Sequence, residues 1–341
     1  MNVFDLTIED LQNYFKENGE KAFRSKQVFR HVYEGLSFGE MTDISKELRE
    51  KLENDFRTDL PTIAEKWVSK IDGTVKYLFK MHDGEVVEGV VMSYKHGLSM
   101  CVSTQVGCAM GCVFCASTLK GKKRNLAPSE ISGQIMAAKK DLGKRISNIV
   151  LMGSGEPFDN YDNVLKFIKI AIHEDGLGIG ARHITLSTCG LIPGIYALAE
   201  ENIPVNLSIS LHAPNDEIRK TIMPVAKKYD IHALIKACRD YFEKTKRRVT
   251  YEYALIDGVN DSDGCAHQLS DILKSGQEHV NLIPVNYVAE RKTKRSKNVA
   301  AFRNILIKNG INATVRREMG ADISAACGQL RNEYTSRMVE G

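Results

Sequence analysis

The run Gly107-Cys108-Ala109-Met110-Gly111-Cys112-Val113-Phe114-Cys115 constrains this chain more than any other feature. Its spacing is Cys-x3-Cys-x2-Cys, with an aromatic residue directly before the last cysteine. Thiolates are the usual ligands of iron–sulfur cubes, so three on one short loop can hold three irons of a [4Fe–4S] cluster. A fourth cysteine would close the cube and leave an electron carrier; three leave one iron open to a further ligand. Zinc is the competing occupant, but closed zinc sites take four ligands, commonly as two separated pairs. No second pair of that spacing occurs in the chain. A third reading, three unrelated core cysteines, does not account for their regular spacing.

The rest of the chain is ordinary in bulk. Its 341 residues allow one large domain with an appendage, or two domains. Apolar residues make up 43% and charged residues 26%, as in globular proteins able to bury a core without disulfide staples. The start, Met1 to Leu6, has no basic end followed by an apolar run, and no apolar stretch approaches the ~20 residues of a membrane span. The expectation is a cytoplasmic protein without a membrane partner. In a reducing compartment, its eight cysteines read as ligands or catalysts rather than bridges. Net charge is only +4, but the bases are grouped: Lys120, Lys122, Lys123 and Arg124 follow the cysteine loop. Lys244 to Arg248 and Arg291 to Lys297 hold two further groups. Any such group is as easily solvated surface as phosphate contact; the first, beside the cysteine loop, is the best candidate for meeting a nucleic acid.

Periodicity divides the chain. Residues 1–60 read as a helical accessory unit: Thr7 and Asp10 form a capping box, and Leu48, Leu52 and Phe56 recur every four residues. From Thr74 the period becomes two, giving strands Thr74–Met81 and Glu85–Tyr94 in a β extension over 61–97, and a third strand, Leu98–Thr104, that opens the next segment. Beyond the cysteine loop, strands and helices alternate, from Asn148–Met152 through His279–Pro284 to Ile311–Arg317. A βα unit every 30–40 residues argues a parallel sheet, hence an α/β fold built on a full or partial (β/α) barrel over 98–331. Residues 332–341 read as a flexible tail.

Chemistry in such a barrel belongs at the C-terminal ends of the strands. There the chain places Met152-Gly153-Ser154-Gly155-Glu156-Pro157, Ser187-Thr188, Ser210-Leu211-His212 and Asn286. Glycines admit close backbone approach and Glu156 can accept from an ammonium group, although each feature alone is also an ordinary strand terminus. Cys101 ends the strand entering the cysteine loop, Cys327 lies near the C-terminus, and Glu88 interrupts an apolar strand. Buried cysteines are often inert, and an outward-facing acid would equally explain Glu88.

Taken together, these runs resemble the RlmN/Cfr family of radical S-adenosylmethionine (SAM) RNA methyltransferases, and within it the RlmN branch. The matching segments are Cys101-Val-Ser-Thr-Gln-Val-Gly-Cys108, the cysteine loop, Lys123-Arg-Asn-Leu126, Met152–Pro157, Ser210-Leu-His-Ala-Pro214, His279-Val-Asn-Leu-Ile-Pro284 and Asp322–Leu330. The resemblance implies a partial radical SAM barrel, with the helical N-terminus as the family's RNA-binding accessory domain. It implies that Cys108, Cys112 and Cys115 hold a [4Fe–4S] cluster, and that Gly155, Glu156, Ser187, Ser210, Leu211, His212 and Asn286 contact SAM. By the same resemblance Cys327 carries the methyl group, Cys101 resolves it through a Cys101–Cys327 disulfide, and Glu88 takes the substrate proton. Pro157 is typical of this branch, where the Cfr branch, which methylates carbon 8 instead, has Ala. Ser154 and Cys189 depart from the family pattern, and neither is an assigned ligand.

The implied reaction methylates carbon 2 of adenosine in 23S ribosomal RNA, at the peptidyl-transferase region, and in tRNA beside the anticodon. That carbon has no nucleophilic lone pair, so direct displacement on SAM is closed to it. A cysteine thiolate can take the methyl instead. A second SAM per turnover then supplies a 5′-deoxyadenosyl radical that activates the S-methyl group for addition to adenine. The family implies a monomer served by a small flavodoxin- or ferredoxin-like electron donor.

Overall fold

The computed structural model describes residues 1–274 and 278–331. The expected tail, 332–341, lies outside the described residues. Three helices open the chain: α1 (Ile8–Glu17), α2 (Ala22–Glu34) and α3 (Lys46–Asp55). The capping box read at Thr7 and Asp10 is present, each side chain accepting from the other's backbone N–H. Leu11, Phe15, Val28, Phe29, Leu48 and Leu52 pack into one apolar cluster. Phe23 stays exposed, with the Arg24 guanidinium over its ring.

Four antiparallel strands follow: β1 (Thr62–Val68), β2 (Val75–Lys80), β3 (Val86–Tyr94) and β4 (Gly97–Cys101). Strand β1 lies where no strand was expected. Its alternating half-exposed pattern marks a sheet edge, so no strong apolar run announces it. A hairpin of β5 (Gln105–Gly107) and β6 (Lys122–Asn125) flanks the cysteine loop. The chain then alternates α4 (Pro128–Leu142), β7 (Ile146–Leu151), α5 (Tyr161–Ile172), β8 (Ile184–Thr188), α6 (Ile192–Glu200), β9 (Asn206–Ser210), α7 (Asp216–Ile222) and α8 (Ile231–Thr245). It ends with β10 (Val249–Leu255), α9 (Asp263–Ile272), β11 (His279–Pro284), α10 (Val299–Lys308) and β12 (Asn312–Val315).

Ten strands form one sheet in the order β1-β2-β3-β4-β7-β8-β9-β10-β11-β12. From β4 to β12 every pairing is parallel. No pairing joins β12 back to β1 among the described residues, so the barrel is partial, as expected. One large apolar core lies between the sheet and its helices. The N-terminal helices dock on it through Ile170 of α5, and Asp5 Oδ1 accepts the Ser129 N–H at the start of α4. No helix among the described residues is long and apolar enough to cross a membrane.

Candidate active site

The β5–β6 hairpin clamps both ends of the cysteine loop, and Cys108 N–H donates to Gly121 O at 3.1 Å. Within the loop, Thr118 Oγ1 donates toward the Cys112 and Cys115 carbonyls, and Arg291 donates to Cys115 O at 3.1 Å. Phe114, the aromatic residue of the motif, sets its ring edge-on to His212, with centroids 4.9 Å apart. That contact fixes the loop against the end of β9.

Cys108, Cys112 and Cys115 share one wall of a cavity of about 130 Å³ at the C-terminal ends of the parallel strands. Burial pushes the Cys108 thiol up to about 12 and raises the other two. Among the described residues no three His, Cys, Asp or Glu side chains converge on a single metal ion. A cubane does not ask for that, since each of its irons takes its own thiolate. Three soft sulfur donors on one cavity wall fit such a cluster.

Six of the seven expected SAM residues line the same cavity: Gly155, Glu156, Ser187, Ser210, His212 and Asn286. Gly155 has φ +113°, and a Cβ there would stand 2.8 Å from the backbone nitrogen of Gln105. Glu156 is buried, with Oε2 accepting Cys189 N–H at 2.8 Å and Oε1 accepting Phe158 N–H at 3.1 Å. Burial raises its carboxyl, and those bonds oppose the rise. His212 sits at φ +57°, and its Nδ1 accepts Ala254 N–H at 2.9 Å. The ring proton therefore sits on Nε2, a donor once the imidazole is neutral. Burial, helped by Arg219, holds the His212 imidazole down at about 3. Leu211 is the exception. Its side chain is in the apolar core, its N–H donates to Glu252 O and its carbonyl accepts from Arg219.

Cys327 is reached from two sides. It lines the first cavity and a second, of about 40 Å³, whose wall also holds Cys101. As a residue Cys327 is exposed, and burial by the surrounding protein still raises its thiol. Asn286 Nδ2 donates to Cys327 O at 2.9 Å, and Ala116 N–H donates to Gly328 O at 2.7 Å. The cysteine loop and the Cys327 segment are thus tied directly together. Burial pushes the Cys101 thiol up to about 12, and the Cys327 thiol contributes to that rise. Glu88 is fully buried beside Lys76 and lines neither cavity. Cys189 lines the first cavity beside Cys112.

The basic group after the loop is otherwise engaged. Lys122 pairs with Asp159 at 2.7 Å, Lys123 with Glu85 at 2.8 Å, and Arg124 with both carboxylate oxygens of Glu130 and with Asp83. Each of these three charges has an acidic partner at the protein surface, with which phosphate would have to compete, and Lys120 also has a partner. Lys292, Lys294 and Lys297 are exposed on the third basic group, whose Arg295 lines the Cys101–Cys327 cavity.

Two residues escaped the sequence reading. Arg316, at the end of β12, lines both cavities, 3.9 Å from Glu252, and pulls the Cys327 thiol down against burial. Glu252, an acid within the apolar run of β10, accepts from Ser208 and Asn281. An ionisable residue inside an alternating strand was the available signal for Glu252. Arg316 had none, because its position depends on how β12 joins the sheet.

Comparisons with known proteins agree with this geometry. Residues 102–267 match the Radical SAM superfamily, and residues 1–57 match the ribosomal RNA large subunit methyltransferase N-terminal domain. The chain is 56% identical to a probable dual-specificity RNA methyltransferase RlmN of Alkaliphilus oremlandii, covering 98% of each chain. It is 52% identical to that of Clostridium novyi, again covering 98% of each. A crystal structure of a radical SAM methyltransferase from Sphaerobacter thermophilus superposes with a TM-score of 0.90 at 43% identity, over 98% of this chain and 100% of that one. With the cysteine loop, the partial barrel and the helical N-terminus all matched, the chain belongs to the RlmN family of radical SAM RNA methyltransferases.

Proposed function

We propose that this enzyme methylates carbon 2 of adenosine in the peptidyl-transferase region of 23S ribosomal RNA and in tRNA next to the anticodon, using two SAM molecules per turnover. The observation that carries this reading is the position of Cys327 between two cavities, one lined by the three loop cysteines and the other by Cys101. Cys108, Cys112 and Cys115 would hold the [4Fe–4S] cluster. Gly155, Glu156, Ser187, Ser210, His212 and Asn286 would bind SAM, His212 as a neutral donor and Glu156 as an acceptor for its amino group. Together the bound cluster and SAM supply a 5′-deoxyadenosyl radical.

The protein's own residues do the rest. Cys327, activated by Arg316, takes a methyl from the first SAM by displacement. After hydrogen abstraction that carbon adds to adenine, and the adduct radical gives up one electron, for which the oxidised cluster would be the acceptor. Cys327 is then a thioether bridging protein and RNA. Glu88 accepts the ring proton. Cys101, as thiolate, attacks the Cys327 sulfur: the S–S bond forms, the S–C bond breaks, and the released carbon takes a proton to become the methyl group. Two thiols end as one disulfide, which an external dithiol must reduce. RNA readers work mainly on unpaired bases, so the target adenine must leave its stack. In the cell this points to a cytoplasmic monomer reduced by a small flavodoxin- or ferredoxin-like protein.

Nucleoside mass spectrometry tests the reading. Anaerobically reconstituted enzyme, SAM, a reductant and a 23S ribosomal RNA fragment should yield 2-methyladenosine, and none with Cys327→Ala. 8-Methyladenosine, or 2-methyladenosine from the Cys327→Ala protein, would overturn it.

A further inference from the structure

The Glu88 carboxylate is held from two directions. Lys76 Nζ lies 3.2 Å from Oε1, and the Arg331 backbone N–H donates to Oε2 at 2.8 Å. The strand register accounts for the first contact. Lys76 stands opposite Val90 and Leu78 opposite Glu88, so Lys76 and Glu88 are diagonal neighbours on one face of β2–β3. Lys76 is itself buried, with its ammonium 4.7 Å from the centroid of the Trp67 ring. Oε1 accepts no hydrogen bond, so the ammonium charge is its compensation. The Arg331 guanidinium pairs with Glu290 and its charge also lowers the Glu88 carboxyl, less than Lys76 does; Cys101 on β4 stands opposite Val90, two residues along. Burial drives the Glu88 carboxyl upward, and Lys76 is the largest influence opposing it.

The geometry points to Lys76 as a positioning residue that keeps Glu88 a carboxylate in its buried site, ready to accept the ring proton of the RNA adduct. This rests on the reading of Glu88 as proton acceptor. A buried lysine is costly to a fold unless its charge is used, and among the described residues its carboxylate partner is Glu88. The Glu88 backbone N–H also donates to Arg331 O at 3.2 Å, four residues beyond Cys327. The Cys327 segment thus holds the second oxygen, and Lys76 holds the first.

The test is the pH dependence of RNA–protein adduct in a single turnover, read on denaturing gels after reaction of holoenzyme with SAM, reductant and a 23S ribosomal RNA fragment. An adjacent opposite charge lowers a carboxyl by about 1–3 units, so losing Lys76 moves the acid limb of adduct release up by that amount. Below the limb, Lys76→Met should release adduct about 10- to 1,000-fold more slowly, recovering as pH rises. Lys76→Arg, which keeps the charge, should restore the parent limb. A Lys76→Met limb coincident with the parent's overturns the proposal, as does a Lys76→Arg limb displaced equally. If Lys76→Met and Lys76→Gln both fail to load iron while Lys76→Arg loads it, the role is structural and the proposal falls. Glu88→Gln separates the two readings: it should trap adduct at every pH, and if it traps none, the assignment of Glu88 itself fails, whatever Lys76 does.

Discussion

The turn after β7 contains two glycines that the structure requires for different reasons, and alanine substitutions separate them. At Gly153 the backbone φ is unexceptional, but a Cβ would lie 2.6 Å from Val102 O and 2.7 Å from Ser103 N. At Gly155 the crowding recurs, 2.7 Å from Thr104 Oγ1 and 2.8 Å from Gln105 N, and φ is +113° as well. Gly143, the left-handed C-cap of α4, has φ +61° and nothing within 4 Å, so it isolates the cost of φ. A left-handed alanine costs roughly 1–2 kcal/mol. Forcing a methyl into packed backbone costs about 1–3 kcal/mol. Gly143→Ala should therefore lose ~1 kcal/mol, Gly153→Ala ~2, and Gly155→Ala, which incurs both, about 2–5, a large part of a typical stability of roughly 5–15 kcal/mol. Urea unfolding followed by circular dichroism on equally loaded protein measures the order. Retained SAM, counted after gel filtration, should fall for Gly153→Ala and Gly155→Ala and stay at the parent level for Gly143→Ala. If Gly155→Ala loses no more stability than Gly143→Ala, the close approach of this turn to residues 102–105 is not what the fold depends on.

Three further outcomes follow from the same geometry. Burial holds the His212 imidazole at about 3 while an unfolded chain takes that proton near 6.5, so its stabilisation is complete above 6.5 and is lost as pH falls toward 3. His212→Asn, which tolerates the left-handed backbone, should flatten the parent's decline between pH 7 and pH 5 by roughly 2 kcal/mol; an unchanged urea profile counts against the buried neutral ring. Arg316→Met should raise the pH at which Cys327 gains a methyl, because Arg316 draws its thiol down; intact-protein mass spectrometry across pH reads this, and an unmoved profile contradicts it. Lys294→Ala and Lys297→Ala should each reduce the salt slope of RNA binding by about 1, whereas Arg124→Ala, tied to Glu130 and Asp83, should lower stability and leave that slope alone; filter binding against salt distinguishes them.

Most element types and the candidate chemical groups were readable from local pattern. The cysteine spacing announces its ligands because three thiols on one short loop need no long-range fold to be brought together. Strand β11, His279–Pro284, was readable to its end residues because the alternation of Val280 and Leu282 with His279 and Asn281 stops at a proline. Strand β1 was not, since an edge strand shows a weak alternation that loops also show. The β5–β6 hairpin was hidden for a similar reason: three- and four-residue strands carry too little periodicity to register. Leu211 lies between two residues that line the cavity, Ser210 and His212, yet alternation along the chain turns it into the core.

The order of motifs along the chain thus determined which groups exist: three closely spaced thiols, a glycine-rich turn, two further cysteines and a lone glutamate. Only the tertiary structure decided which of them meet. Cys101 and Cys327 come to one cavity because β4 and the segment after β12 converge there, and Glu88 meets Lys76 because the register of β2 on β3 sets them diagonally on one face. The basic run after the cysteine loop shows the converse. Its charges suggested phosphate, but acids from the turn before β3, from α4 and from the turn after β7 already pair with three of them. Sequence lists charges one at a time, and whether a charge is free depends on the partners that folding brings within a few ångströms of it.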